Sequence, residues 1–294
     1  MKKIVIVQNI LPHYRISLYN ELSKHYNVIV IHSGNFNNSK KQLFKTIQLK
    51  SLKVGPFNFQ KKLISTISKE SPSAIIAMFD ITWPVSFFLL FRNKEKMIWW
   101  GLDKGRSKIS LYIKLLIAKL NRPVIFYHSS IMNKFINLGL KKDICFVANN
   151  TFHIENRVKA FKYSKKHLLF VGTVRKRKKL DICIDAFNKV NNSLEDKMNF
   201  IIIGEGQEKA ILEEKVRISK NSSFIHFVGQ INEPEQLKKY YKHAIASISY
   251  GQAGLSVLQS FAYGVPYITK VDTISGGEAN NIINNYNGKV VDNS

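Results

Sequence analysis

Short, continuous apolar runs alternate with longer segments of helical spacing along this chain. The runs at 4–7 (IVIV), 27–32 (NVIVIH), 74–79 (AIIAMF), 97–100 (MIWW), 124–128 (VIFYH) and 145–149 (CFVAN) are too short for helices and lack polar alternation. They read as strands buried on both faces. Between them, 14–26 and 109–120 carry apolar residues at helical intervals, with Ile16, Leu18, Tyr19, Leu22 and Tyr26 forming the stripe of the first. A polar, basic stretch at 155–166 interrupts the series, which then restarts. Strands are expected at 167–172, 199–204, 225–229, 244–250 and 266–269, with helices at 178–192, 207–219, 233–243 and 255–263. An alternation with its own restart predicts an α/β chain of two doubly wound, Rossmann-like parallel-sheet domains, residues 1–158 and 159–294. Such folds bind ligands beyond the carboxyl ends of their strands, which puts the expected site in a cleft between the two domains.

Composition narrows the class. With 294 residues, 45% of them hydrophobic and 12% aromatic, the chain is globular. Its net charge of +25 is uneven: residues 1–160 hold 26 of the 45 Lys and Arg but 7 of the 20 Asp and Glu, a net +19 against +6 for the remainder. A field of that sign attracts polyanions, nucleic acid or an anionic lipid surface. A Lys- and Asn-rich coding bias is the alternative. Cys145 and Cys183 stand apart without a partner motif, which argues against a disulfide framework or zinc site and fits a reducing compartment. MKK leads at once into the 4–7 run, and the most apolar run, 81–91, is closed by Arg92. Neither a signal peptide nor a membrane span is expected.

Three strand ends in the second half carry glycine. FVGTVRKRKK (170–179) puts Gly172 before a cationic loop, IIIGEGQEK (201–209) places Gly204 and Gly206 in a strand-to-helix turn, and SYGQAGLSVL (249–258) sets Gly251 and Gly254 before a helix. A helix N-terminus with small residues suits a phosphate, and the N–H groups of Gly254, Leu255 and Ser256 are the candidate donors. Each turn alone more often serves a structural purpose. Together, beside a cationic loop, they point to a nucleotide or phosphate site.

These motifs resemble the family-four glycosyltransferases, which have the GT-B fold. The resemblance runs over the whole chain and places FVGTVRKRKKLDICIDAF (170–187) at the start of the family's C-terminal domain. It implies that Lys178 is the phosphate-binding lysine. Thr173 stands where the family usually has arginine, and Arg175 or Arg177 is the candidate replacement. Gly204 and Gly206 fall on the family's G-x-G turn, and the nucleobase is expected near Gly229, against the backbone of Ile231. The family's Glu-x7-Glu helix corresponds to GQAGLSVLQSFAYGVP (251–266), and both acids are missing. The second falls on Gln259, which keeps a carbonyl acceptor for ribose hydroxyls. The alternative is a solvated helix residue. The first falls on Gly251 by register, with Gln252 one residue on.

The first half is similar to the family's N-terminal, acceptor-side domain. QNILPHYRISLYNEL (8–22) brings His13 and Arg15 to the first strand end, although a lone histidine is more often structural. IWWGLDKGRS (98–107) supplies Asp103, Lys104 and Arg106 as acceptor candidates, and Asp80 follows another strand; either acid could instead cap a helix. Helix 109–120, with Lys108, Lys114 and Lys119 among Ile, Leu and Tyr, is a candidate for membrane docking or an ordinary sheet-covering helix. The resemblance implies a retaining transferase working from a nucleotide sugar, UDP-linked by preference, onto a lipid-linked saccharide for surface polysaccharide. It implies no cofactor and no metal, and a cytoplasmic place at the inner face of the plasma membrane beside anionic lipid. Rival readings are a weak or inactive GT-B relative, a sugar-nucleotide epimerase and a basic nucleic-acid-binding protein, for which no recognised motif is present. The family's closing helices are absent after VVDNS, which fits a short variant or a truncated chain.

Overall fold

The computed structural model describes residues 1–34, 41–102, 107–120, 122–153 and 163–292. Two compact units result, Met1–Asn149 and Asn150–Ser294. The expected boundary at 158/159 lies outside the described residues.

In chain order the first unit comprises β1 (Lys3–Val7), α1 (Ile16–Leu22), β2 (Asn27–His32), β3 (Lys45–Gln48), β4 (Ser51–Val54), β5 (Phe57–Gln60), α2 (Leu63–Glu70), β6 (Ala74–Met78), α3 (Val85–Arg92), β7 (Met97–Trp100), α4 (Lys108–Ala118), β8 (Val124–Phe126), α5 (Ser129–Asn137) and β9 (Cys145–Val147). Its seven-stranded sheet has the order β3-β2-β1-β6-β7-β8-β9, with every pairing parallel. Val5, Val7, Ile29, Ile31, Ile75, Ala77 and Trp99 fill one face, while Ile6, Val28 and Val30 pack with Ile16 and Tyr19 of α1 on the other. That two-sided burial is why these strands read as unbroken apolar runs. The expected helix 14–26 is shorter: a 3-10 turn at His13–Arg15 leads into α1, which ends at Leu22. The β4–β5 hairpin and β3 were not foreseen. They are short and largely exposed, so no apolar run marks them.

The second unit comprises β10 (His167–Val171), α6 (Leu180–Ser193), β11 (Asn199–Ile203), α7 (Lys209–Arg217), β12 (Ile225–Gly229), α8 (Pro234–His243), β13 (Ala244–Ile248), α9 (Leu255–Ala262), β14 (Tyr267–Lys270) and β15 (Gly288–Val291). All pairings in its sheet, β12-β11-β10-β13-β14-β15, are parallel. Both sheets are therefore doubly wound, as expected. Strand order reverses between β1 and β6 in the first and between β10 and β13 in the second, and these switch points are where ligands bind in such sheets. Helix α6 starts at Leu180 rather than 178, because Lys176–Lys178 form a 3-10 turn and Lys179 adopts φ 53°. Its buried stripe of Leu180, Cys183, Ile184 and Phe187 packs on Phe200 and Ile202.

Candidate functional site

At the second unit's switch point, the loops after β10 and β13 meet. Lys178 Nζ donates to the Gln252 carbonyl at 3.2 Å, and the Gly251 N–H donates to the Lys178 carbonyl at 3.0 Å. The same Gln252 carbonyl accepts from Ser249 Oγ at 2.9 Å. Burial brings the Lys178 ammonium down to about 8; Arg177 and Arg175 repel it further, while Glu278 favours its charged form. Arg175 and Arg177 are themselves exposed, as is Thr173. A cation held in this way, half-desolvated and short of negative charge, is matched to an anionic ligand.

Beside it, α9 begins at Gly254. The N–H groups of Gly254, Leu255 and Ser256 have no acceptor among the described hydrogen bonds, and a Cβ placed on Gly254 meets nothing within 4 Å. The helix start is thus open to a ligand on that side. The Ser256 hydroxyl, by contrast, pairs with Tyr267 Oη at 2.8 Å, so only its backbone faces the opening. Gln259 stands half-buried one turn along α9, and its side chain has no hydrogen bond among the described residues.

The remaining glycines serve the backbone. Gly204, at φ 144°, lies so close to the Gly172 carbonyl that a Cβ would overlap it, and a Cβ on Gly206 would strike the Val174 carbonyl. Gly172 N–H reaches Ile203 O at 3.0 Å and Gly204 N–H reaches Gly229 O at 2.8 Å, which stitches three strand ends into a floor. Ile231, half-buried, follows Gly229 on the outer side of that floor and packs on Leu237 and Tyr241.

Space decides the place of the first acid. Gly251 is buried, and any side chain there would run into the Arg177 carbonyl and the Lys179 side chain. Gln252 has room, and its Oε1 is buried with no hydrogen-bond partner among the described residues. A buried unpartnered amide oxygen is costly, which sets this position apart from its neighbours in the loop.

One acid not singled out from the sequence belongs here. The 251–253 loop bonds to the segment after β14: Ala253 N–H to Ile274 O at 3.0 Å, and Ile274 N–H to Gly251 O at 3.1 Å. Four residues on, Glu278 is buried at 6% exposure. The SGGE turn, two glycines and an acid behind a strand, was its only sequence signal.

In the first unit, Arg15 is buried at the strand ends, 4.4 Å above the Trp100 ring, with Nη2 donating to Tyr127 Oη at 2.5 Å. It serves as a pillar between β7, β8 and α1. Asp80 accepts from Asn9 Nδ2 at 2.8 Å and from the backbone and hydroxyl of Thr82, which ties β6 to β1 in a turn-forming role. The His13 side chain and Asp103, Lys104 and Arg106 lie outside the described residues. Helix α4 differs from expectation: Lys114 is buried and does not join the outer face, which instead exposes Ile109, Tyr112, Ile113 and Leu116.

Two doubly wound units of this kind share the GT-B fold of the solved structures that the chain resembles. The glycosyl transferases group 1 family model matches residues 152–294, the second half of the chain. Among solved structures, the chain is similar to the lipopolysaccharide outer core galactosyltransferase WaaB (TM-score 0.69, 16% identity, 99% of this chain and 86% of that one). It is also similar to Anabaena HepE in complex with UDP-glucose (0.74, 13%, 99% and 86%). A third is a S. aureus TarM variant in complex with fondaparinux, α-GlcNAc-glycerol and UDP (0.73, 13%, 100% and 90%). At these identities the likeness fixes the fold. No curated protein sequence matches the chain significantly. Among the described residues no helix is long and apolar enough to cross a membrane.

Proposed function

We propose that the chain transfers a sugar, with retention of configuration, from a UDP-linked donor to a lipid-linked saccharide in the synthesis of a surface polysaccharide. The observation that carries the donor assignment is the half-buried Lys178 beside the open start of α9, at the switch point of the sheet. UDP in the HepE and TarM complexes supports the choice of nucleotide. In this reading Lys178, Arg177 and the N–H groups of 254–256 stabilise charge on the departing diphosphate. The bond from the sugar C1 to the phosphate oxygen breaks and the acceptor oxygen bonds C1 from the same face. The acceptor proton passes to the phosphate. Gln259 takes the ribose hydroxyls and Gln252 a sugar hydroxyl. Neutral acceptors replace charged ones in both places. The reading assigns no metal ion and no cofactor.

The acceptor side rests on the first unit's net +19 over 1–160 and on the apolar outer face of α4, joined by exposed Phe88 and Phe91 of α3. Apolar residues amid basic ones suit an anionic bilayer surface, and so a membrane-borne acceptor.

A thermal-shift and donor-hydrolysis screen against nucleotide sugars, run with Lys178→Ala beside the wild type, tests the donor site. A UDP-sugar should stabilise the wild type and not the variant. A hit unaffected by the change overturns the assignment. Binding without turnover onto any saccharide favours a donor-binding relative without transferase activity, the reading that the two missing acids support.

A further inference from the structure

The donor-site lysine sits with two repelling arginines on its own loop, and the family's two acids are absent from the helix beside it. Negative charge for this site must come from elsewhere in the unit. We infer that Glu278 is a positioning residue of the donor site, holding the 274–278 segment against the 251–253 loop and supplying the counter-charge for Lys178. The inference rests on the donor-site reading above and adds a residue to it.

Glu278 is placed for this task by three hydrogen bonds of its own and by the backbone pairing of its segment. Its Oε2 accepts from the Gly276 N–H at 2.8 Å and from Ser275 Oγ at 3.1 Å, and its Oε1 accepts from Asn150 Nδ2 at 2.9 Å. Ser275 Oγ in turn accepts from the N–H groups of Gly277 and Ala279, at 3.1 and 3.0 Å, which closes the turn. The backbone zipper of Ile274 to Gly251 and Ala253 joins that turn to the loop whose Gln252 carbonyl accepts from Lys178 Nζ. Among the described residues the donors to Glu278 are neutral, so none of them cancels its charge. Its field reaches Lys178, where it opposes the effects of burial, Arg177 and Arg175. A buried carboxylate bound by neutral donors favours the protonated form of an ammonium within its field, the form that suits a phosphate. The same carboxylate fixes Asn150, the first residue of the unit.

The test measures the affinity of UDP, or of GDP if UDP does not bind, by calorimetry between pH 6.5 and pH 9.5 for the wild type, Glu278→Gln and Glu278→Asp. Wild-type affinity should fall as pH rises through about 8, where Lys178 loses its proton. Removing the charge should move that fall to lower pH by roughly one unit, a loss of about eightfold at pH 8.5 with a far smaller loss at pH 6.5. Glu278→Asp, which keeps the charge, should hold the fall within about half a unit of the wild type. A Glu278→Gln affinity that is weaker by the same factor at every pH, or unchanged, overturns the inference. If Glu278→Gln does not fold, the Asp variant decides: a fall at wild-type pH with wild-type affinity supports the counter-charge, and a pH-independent loss overturns it. Failure of the wild type to bind any nucleotide overturns the donor-site reading itself and is distinct from both outcomes.

Discussion

Replacing Lys178 with methionine should strengthen the second unit while removing donor binding. Methionine keeps the unbranched stem and removes the ammonium. Burial lowers the Lys178 ammonium from 10.5 to about 8, with Arg177 adding to the effect. A depressed lysine means that the charged form is disfavoured in the folded state. The penalty is complete below pH 8, shrinks as pH rises from 8 to 10.5, and is gone above that range. The shift corresponds to about 3 kcal/mol at pH 7. Loss of the hydrogen bond to the Gln252 carbonyl offsets about 1 kcal/mol; that oxygen retains Ser249 as a donor. The variant should therefore gain about 2 kcal/mol at pH 7 and close to nothing at pH 9.5. Urea denaturation at the two pH values, followed by fluorescence and repeated without ligand, measures the difference. A gain of equal size at both pH values, or a loss at pH 7, refutes the reasoning, since either outcome would place the effect in packing rather than charge.

Two further outcomes follow from the same geometry. Gly251→Glu, which restores the family's first acid in register, should cost about 3 kcal/mol through collision with the Arg177 carbonyl and the Lys179 side chain. Gln252→Glu should leave the midpoint of thermal unfolding within about 2 °C of the wild type. On the first unit, Leu116→Glu should weaken sedimentation with vesicles of mixed neutral and anionic lipid by about tenfold at 0.1 M salt, and leave UDP affinity unchanged.

The sheets were legible because buried parallel strands announce themselves as unbroken runs, and IVIV, NVIVIH and NFIIIG could be little else. Edge elements were not. β3 and β15 are four residues each and lie at the sheet margins, and the β4–β5 hairpin alternates without a buried face. In the site, Lys178 and Gly254 were readable from loop chemistry, since a cation after a strand and a glycine before a helix are local signals. The choice between Gly251 and Gln252 was not, because it depends on where the Arg177 carbonyl passes, 74 residues from Gly251 along the chain. Glu278 escaped for a similar reason: its meaning comes from Lys178, a hundred residues earlier, and from a backbone zipper that no spacing reveals. Lys114 reads as a surface charge on a basic helix, yet its neighbours in the fold bury it.

The floor of Gly172, Gly204 and Gly229 has an implication for how such a site can diverge. It is made of main chain alone, and each strand end hands its amide to the next. Side chains at 252, 259 and 278 stand around the floor without building it. Acids and amides can therefore be exchanged at those positions while the main-chain floor beneath them stays the same.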